Sequence, residues 1–236
     1  MALLEVNAVS IGFGGILAVN RVSFELNGST ILGIIGPNGS GKTTLLNILN
    51  GVHPPDEGEI TFNGVKTTRL KSHQLTKMGI MRTFQNPHVF QTITVYQNMM
   101  VPLLHANVPA HESYEKAMEL LKFVGLEEKA EIPASELSGG QQKLLEFARA
   151  LMTDPQLVMM DEPFGGMHPQ IKGTLIQRIR EMRERGIAFM IVSHEIPNLM
   201  ELSQQVICLN YGKLIANDTP IAVSQNESVI EAYLGH

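Results

Sequence analysis

The feature that most constrains this chain is a glycine-rich turn set between two strongly patterned segments. Thr30–Ile35 is an apolar run ending at Gly36, as a strand buried on both faces reads. Gly36-Pro37-Asn38-Gly39-Ser40-Gly41-Lys42-Thr43 follows, and Lys42–Leu49 then has helical spacing closed by Gly51. Small residues in such a turn let successive backbone N–H groups converge on phosphate oxygens with no Cβ in the way. The helix start adds partial positive charge. The spacing G-x-x-x-x-G-K-[ST], after a buried strand and opening a helix, therefore reads as a phosphate-binding loop running through Thr44. Lys42 is expected to reach the β- and γ-phosphates of a bound nucleotide, and the Thr43 hydroxyl to hold Mg2+.

A second apolar run, Leu157–Met160, ends in Asp161 and Glu162. A strand buried on both faces delivers its polar residues only at its end, here beside the loop. Alone, such an ending is common and structural; beside the loop, Asp161 is expected to hold Mg2+ and Glu162 to act as general base on the attacking water.

Elsewhere, Leu3–Ser10, Val19–Leu26, Glu59–Phe62, Ile80–Phe84 and Ile187–Val192 read as strands. His73–Lys77, Val95–Pro102, Glu112–Val124 and Ile171–Arg185 read as helices, and a further helix starts at Ser138. Leu103–His111 is the most loop-like stretch. Apolar strands alternating with helices predict an α/β fold, and the antiparallel-looking start and helix-rich middle predict added subdomains.

Composition narrows the function classes. A chain of 236 residues, 44% of them hydrophobic, can build one large core or a core with a smaller subdomain attached. With 18 basic against 23 acidic residues and no basic block, no nucleic-acid partner is expected. The single cysteine, Cys208, precludes an internal disulfide and reads as packing in Val206–Leu209, as do the methionines. Neither a secretory signal in Met1–Ser10 nor a run of about 18 apolar residues is visible, so the chain is not expected to cross a bilayer.

Many unrelated nucleotide hydrolases share the loop and the acidic strand end. Leu137-Ser138-Gly139-Gly140-Gln141 separates them. It is a second anion cradle at a helix start, in a chain that already has one, and it makes sense if it serves a nucleotide held by another subunit. This stretch resembles the signature of the ABC ATPases, and the other motifs fall in that family's order over essentially the whole chain. Gln85 stands in the Q-loop position, His194 in the switch-histidine position and Phe13 in the aromatic A-loop position.

The resemblance implies a P-loop NTPase fold with a mixed RecA-like core, an antiparallel β subdomain and a helical subdomain over residues 87–152, all in one domain spanning 1–236. It implies that Phe13 stacks on adenine, that Gln85 serves both the metal and the reaction, and that His194 contacts the γ-phosphate. Ser138, Gly139, Gly140 and Gln141 then act in trans, on the ATP of a second ATPase subunit in a head-to-tail dimer. Closure and reopening of that dimer drive membrane permease subunits on the cytoplasmic face of the inner membrane, with a solute-binding protein engaged indirectly.

A finer resemblance points to the ATP-binding subunits of branched-chain amino-acid importers and their urea and amide relatives. It rests on Phe13-Gly14-Gly15 with Ala18-Val19, Arg82-Thr83-Phe84-Gln85, and Gly140-Gln141-Gln142-Lys143 with Leu145-Glu146 and Ala148-Arg149. The ending Ala232-Tyr233-Leu234-Gly235 adds to it. These residues mark a branch and leave the cargo open, with urea or amide import and an exporter of the lipopolysaccharide-transport type as alternatives. A soluble ABC ATPase fits less well, because the chain has one signature and no long coiled-coil insert. Gly165-Gly166-Met167-His168-Pro169 departs from the small-Gly-Leu-Asn-Pro usual after the acidic pair, and Ser193-His194-Glu195 from the usual Glu-His-Asp. The segment between Gln85 and Ser138, expected to touch the membrane subunits, is shorter than in many members of the branch.

Overall fold

The computed structural model of the chain describes residues 2–104 and 108–234. Strands β1 (Leu4–Phe13) and β2 (Ile16–Leu26) form a hairpin that turns through Gly14-Gly15. The alternation pattern ends β1 at Ser10, but the ladder runs on to a Phe13–Ile16 pair because two turn residues with positive φ close it tightly. β3 (Ile31–Ile35) leads through the glycine turn into α1 (Lys42–Leu49). β4 (Glu57–Phe62) and a short β5 (Val65–Lys66) complete an antiparallel sheet of order β2-β1-β4-β5.

After α2 (Ser72–Lys77) and β6 (Ile80–Thr83) come three α-helices, α3 (Val95–Met100), α4 (Ala110–Phe123) and α5 (Gly139–Leu151). No strand falls among the described residues of 87–152. The chain continues with β7 (Leu157–Asp161), α6 (Pro169–Glu184), β8 (Ala188–Val192) and α7 (Ile196–Leu202). It ends with β9 (Gln205–Asn210), β10 (Lys213–Asp218), α8 (Pro220–Ser224) and α9 (Glu227–Leu234).

The second sheet has the order β10-β9-β3-β8-β7-β6 and is parallel except where β10 meets β9. Its central strands divide their side chains between two cores. Ile31, Val158, Phe189 and Val206 face one core, shared with α4, α5 and α6. Leu32, Met159, Met190 and Ile207 face the other, shared with α1 and the antiparallel sheet. Burial on both faces demands apolar residues at every position, which is why these strands read as unbroken runs rather than alternating ones. Cys208, Met159 and Met160 are buried core residues, as their patterns predict.

Two helix boundaries differ from expectation for local reasons. The pattern over Val95–Pro102 gives an α-helix only to Met100, then a 3₁₀ turn over Val101–Leu103, because Pro102 has no N–H to continue the ladder. α6 starts at Pro169 rather than Ile171: proline fits the first helical position, and His168 Nδ1 accepts the N–H of Gln170 at 3.4 Å. Of the stretch read as loop, residues 105–107 lie outside the described residues, as does Gly235 of the C-terminal motif.

Candidate nucleotide site

The C-terminal ends of β3, β6, β7 and β8 open on one edge of the sheet, where α/β folds bind ligands. The glycine turn at the end of β3 is shaped by its own backbone. Gly36 has φ 145°, and a Cβ there would lie 2.1 Å from the Leu209 carbonyl oxygen. Gly41 has φ 103°, and a Cβ would lie 2.3 Å from the Ala18 oxygen. Only glycine fits either place. Gly41 also precedes the first helical residue, with no side chain capping α1, so the amides of that first turn stay open to an anion.

Lys42 folds back over the turn. Its Nζ donates to the carbonyls of Gly36 at 2.7 Å and Pro37 at 2.8 Å. Burial pulls its pKa below the ordinary lysine value, opposed by Glu162, Cys208 and Asp161. A 240 Å³ cavity is lined by residues 38–44 together with Gln85, Asp161, Glu162 and His194. With Ala18 of β2, residues from five separate stretches of sequence thus meet in one space. Gly36 and Pro37 begin the turn but do not line this cavity.

The acidic pair divides in two directions. Asp161 is buried, and its Oδ2 lies 3.2 Å from Nη2 of Arg82, whose side chain is buried with it. Arg82 also donates to Asn47 Oδ1 at 2.6 Å and lies over the Phe84 ring. Burial lowers its pKa, and Asp161 opposes that shift. Glu162 adopts φ 49°, a left-handed backbone that costs a non-glycine residue on the order of 1–3 kcal/mol. Its N–H bonds to the Val192 oxygen at 2.8 Å, and its Oε2 accepts the N–H of His194 at 3.0 Å. Oε1 is buried without a hydrogen bond, 3.3 Å from His194 Nε2. A carboxylate on a strained backbone, with one oxygen outside any hydrogen bond, suits a group that must receive a proton.

The signature turn lies across from this edge. Gly139 and Gly140 line a second cavity of 530 Å³ together with Gln85, Glu162 and His194. Ser138 and Gln141 are engaged elsewhere: Ser138 Oγ accepts the Gln141 N–H at 3.4 Å, and Gln141 Oε1 accepts the Ser138 N–H at 3.0 Å. This reciprocal cap holds the start of α5. Phe13, at the hairpin end, is 46% exposed and makes an edge contact with His53; it lines neither cavity.

Sequence reasoning singled out Glu146 and Lys143 only as marks of a family branch and missed that they hold these loops. Glu146 on α5 is buried and accepts the N–H of His88 at 3.1 Å and of Phe84 at 3.4 Å, bracketing Gln85. Burial raises its pKa, partly offset by those two amides. Lys143, one turn earlier, donates to the carbonyls of Glu162 at 3.0 Å and Gly165 at 2.8 Å. Residues three apart on a helix share a face, and that spacing was the available signal.

The comparisons with known proteins agree with this geometry. The sequence pattern described as ABC transporter matches residues 19–165. The high-affinity branched-chain amino acid transport ATP-binding protein LivG of Salmonella typhimurium is 36% identical, over 99% of this chain and 98% of its own length. The probable LivG of Archaeoglobus fulgidus is 34% identical, over 100% and 96%. Among solved structures, the ADP conformation of MJ1267, an ATP-binding cassette of an ABC transporter, superposes with a TM-score of 0.90 at 32% identity, covering both chains fully. A dimeric post-hydrolysis state of the cassette MJ0796, bound to ADP and Pi, gives 0.82 at 28% identity over 92% of this chain and 98% of that one. With its phosphate loop, acidic strand end and signature in these positions, the chain belongs to the ABC transporter family, as an ATP-binding, ATP-hydrolysing cassette.

Proposed function

We propose that this chain powers an importer of branched-chain amino acids from the cytoplasmic face of the membrane. The observation that carries the reading is the near-full-length similarity to the LivG proteins, whose names give that cargo. The residues of the finer resemblance add support, because Arg82, Lys143 and Glu146 hold the edge of the site. Among the described residues no helix is long and apolar enough to cross a membrane, so permease subunits would supply the pathway and a solute-binding protein would deliver cargo to them. The 236 residues are read as one ATPase domain, with helices 87–152 inserted and turned toward the permeases.

In this mechanism the loop residues 38–44 and the Lys42 ammonium hold the ATP phosphates, and Phe13 stacks on adenine. Thr43, Gln85 and Asp161 bring oxygen donors to the same cavity, a set that suits Mg2+. No cluster of three His, Cys, Asp or Glu side chains lies among the described residues, so such an ion would be shared with the phosphates. When bound, it offsets charge on the phosphate oxygens. Glu162 takes a proton from the attacking water through Oε1, which makes no hydrogen bond, and His194, whose N–H is held by the same carboxylate, faces the γ-phosphate. Ser138, Gly139, Gly140 and Gln141 close on the ATP of a second cassette, identical or different, in a head-to-tail dimer. Binding energy drives that closure, and hydrolysis reopens it.

The test is uptake of labelled leucine and labelled urea in the native host carrying Glu162→Gln. Selective loss of leucine uptake is expected, with the purified variant binding ATP while turnover falls by about 10²–10⁴-fold. Loss of urea uptake alone would move the cargo to amides. Retention of both, with the variant expressed and no second importer active, would replace import with the exporter reading.

A further inference from the structure

Gly36 is gripped through both of its peptide groups. Its carbonyl accepts from Lys42 Nζ, and its N–H donates to the phenol oxygen of Tyr233 at 2.7 Å, 197 residues later in the chain. Tyr233 stands on α9, which is anchored by the buried Val229 and Ala232. The contact meets a specific need. Residues 38–44 line the cavity, where a nucleotide's phosphates would meet them, whereas Gly36 lies outside it, wedged against the Leu209 carbonyl. An N–H in that position must find its partner within the protein, and an unpaired one is costly. Burial pushes the Tyr233 hydroxyl up to about 12, so it keeps its proton at neutral pH and accepts as a neutral phenol.

Packing alone does not account for this placement. The tyrosine is 40% exposed, while its oxygen reaches inward to the first residue of the loop. A shift of Gly36 would carry with it the turn whose later amides must converge, and also the carbonyl that receives Lys42.

We propose that Tyr233 is a positioning residue for nucleotide binding, tying the C-terminal helix to the start of the phosphate loop so that ATP occupancy and docking of α9 are coupled. The coupling rests on ATP binding at this loop, and it is reciprocal: whatever α9 docking adds to ATP affinity, ATP adds to α9 docking. A partner that engaged α9 would then change nucleotide affinity without touching the nucleotide.

Tyr233→Phe keeps the ring and removes only the acceptor. Its Kd for a fluorescent ATP analogue is expected to rise about three- to tenfold, the range for the net contribution of one hydrogen bond. KM for ATP should rise in step, with kcat at saturating ATP within about twofold of wild type. Amide hydrogen exchange supplies a readout independent of turnover. In the wild type, ATP should slow exchange over residues 227–234, and in Tyr233→Phe that slowing should disappear.

An unchanged Kd in the variant overturns the proposal. So does α9 exchange that ignores ATP in the wild type, or that responds equally in both proteins. A lower melting temperature with Kd and nucleotide-dependent exchange intact would mean that the hydroxyl only stabilises the fold, and it overturns the proposal too. Lys42→Ala is the control: if that variant binds the analogue as well as wild type, binding at the phosphate loop has itself failed, whatever Tyr233 does.

Discussion

The two glycine-rich turns of this molecule are both anion cradles by sequence, yet they need their glycines for different reasons. In the phosphate loop the reason is internal. A Cβ at Gly36 or Gly41 would overlap the backbone of β9 or of β2, and both residues adopt positive φ. In the signature turn, a Cβ at Gly139 would meet nothing within 4 Å, and one at Gly140 only the side chain of Ile171 at 3.3 Å. Folding of this chain alone explains the first pair of glycines and leaves Gly139 unexplained. Gly139 stands at a helix start and faces a cavity, where a Cβ would narrow the open space. Under the proposed head-to-tail dimer that space takes the nucleotide of the opposite subunit.

Substitutions can break or sharpen this contrast. Gly41→Ala should have the largest effect, because strain and backbone overlap together cost about 3 kcal/mol or more and displace the first turn of α1. Both the melting temperature and equilibrium binding of ATP should fall. Gly139→Ala should leave stability unchanged, or raise it by up to about 1 kcal/mol, since alanine is the better helix former. ATP affinity of the dilute protein should stay at the wild-type value, while turnover at high protein concentration drops by roughly tenfold or more, as for a lost transition-state contact. If Gly139→Ala instead weakened ATP binding by the dilute protein as Gly41→Ala does, the contrast would collapse.

Lys143→Met tests the link between the turns, since Lys143 ties the signature helix to the carbonyls of Glu162 and Gly165. Turnover should fall several-fold with ATP affinity retained, because hydrogen bonds from a charged group contribute about 1.5–3 kcal/mol before solvent screening at this half-buried site. Equal loss of affinity and turnover would show that the lysine supports the loop instead.

The smallest effect is expected at Glu146, whose pKa is raised by burial. A carboxyl with a raised folded value contributes stability that is full below the unfolded value and is lost as pH rises through the folded one. Denaturant unfolding of wild type and Glu146→Gln should therefore show the wild type gaining relative to the variant as pH falls from neutral toward the carboxylate range. A difference independent of pH would mean that the side chain is held as a carboxylate throughout.

Much of this was legible in the chain because the signals are local. Lys42–Leu49 is a helix with the expected bounds, since the glycine turn before it and the polar close after it act on neighbours. The buried strands announced themselves by unbroken apolar runs, and each delivered its polar residue at its end: Asp161, Glu162 and His194 reach one edge because parallel strands finish together. Less legible were Phe13, which stands in a ladder rather than a loop, and the division of labour in the signature, where Ser138 and Gln141 cap a helix. A two-residue turn and a reciprocal cap depend on backbone angles that residue types only bias.

Sequence by itself determined the class of this protein, because a loop that cradles phosphate, an acidic strand end and a second cradle each depend on residues a few positions apart. Only the tertiary structure decided what steadies them. Arg82 beside Asp161, Glu146 around Gln85, Lys143 behind Glu162 and Tyr233 on Gly36 are pairings across 19 to 197 residues. An arginine, a glutamate or a tyrosine in sequence offers a charge or a hydroxyl with many possible partners. The fold selects one by bringing an otherwise unpaired buried group within reach of it.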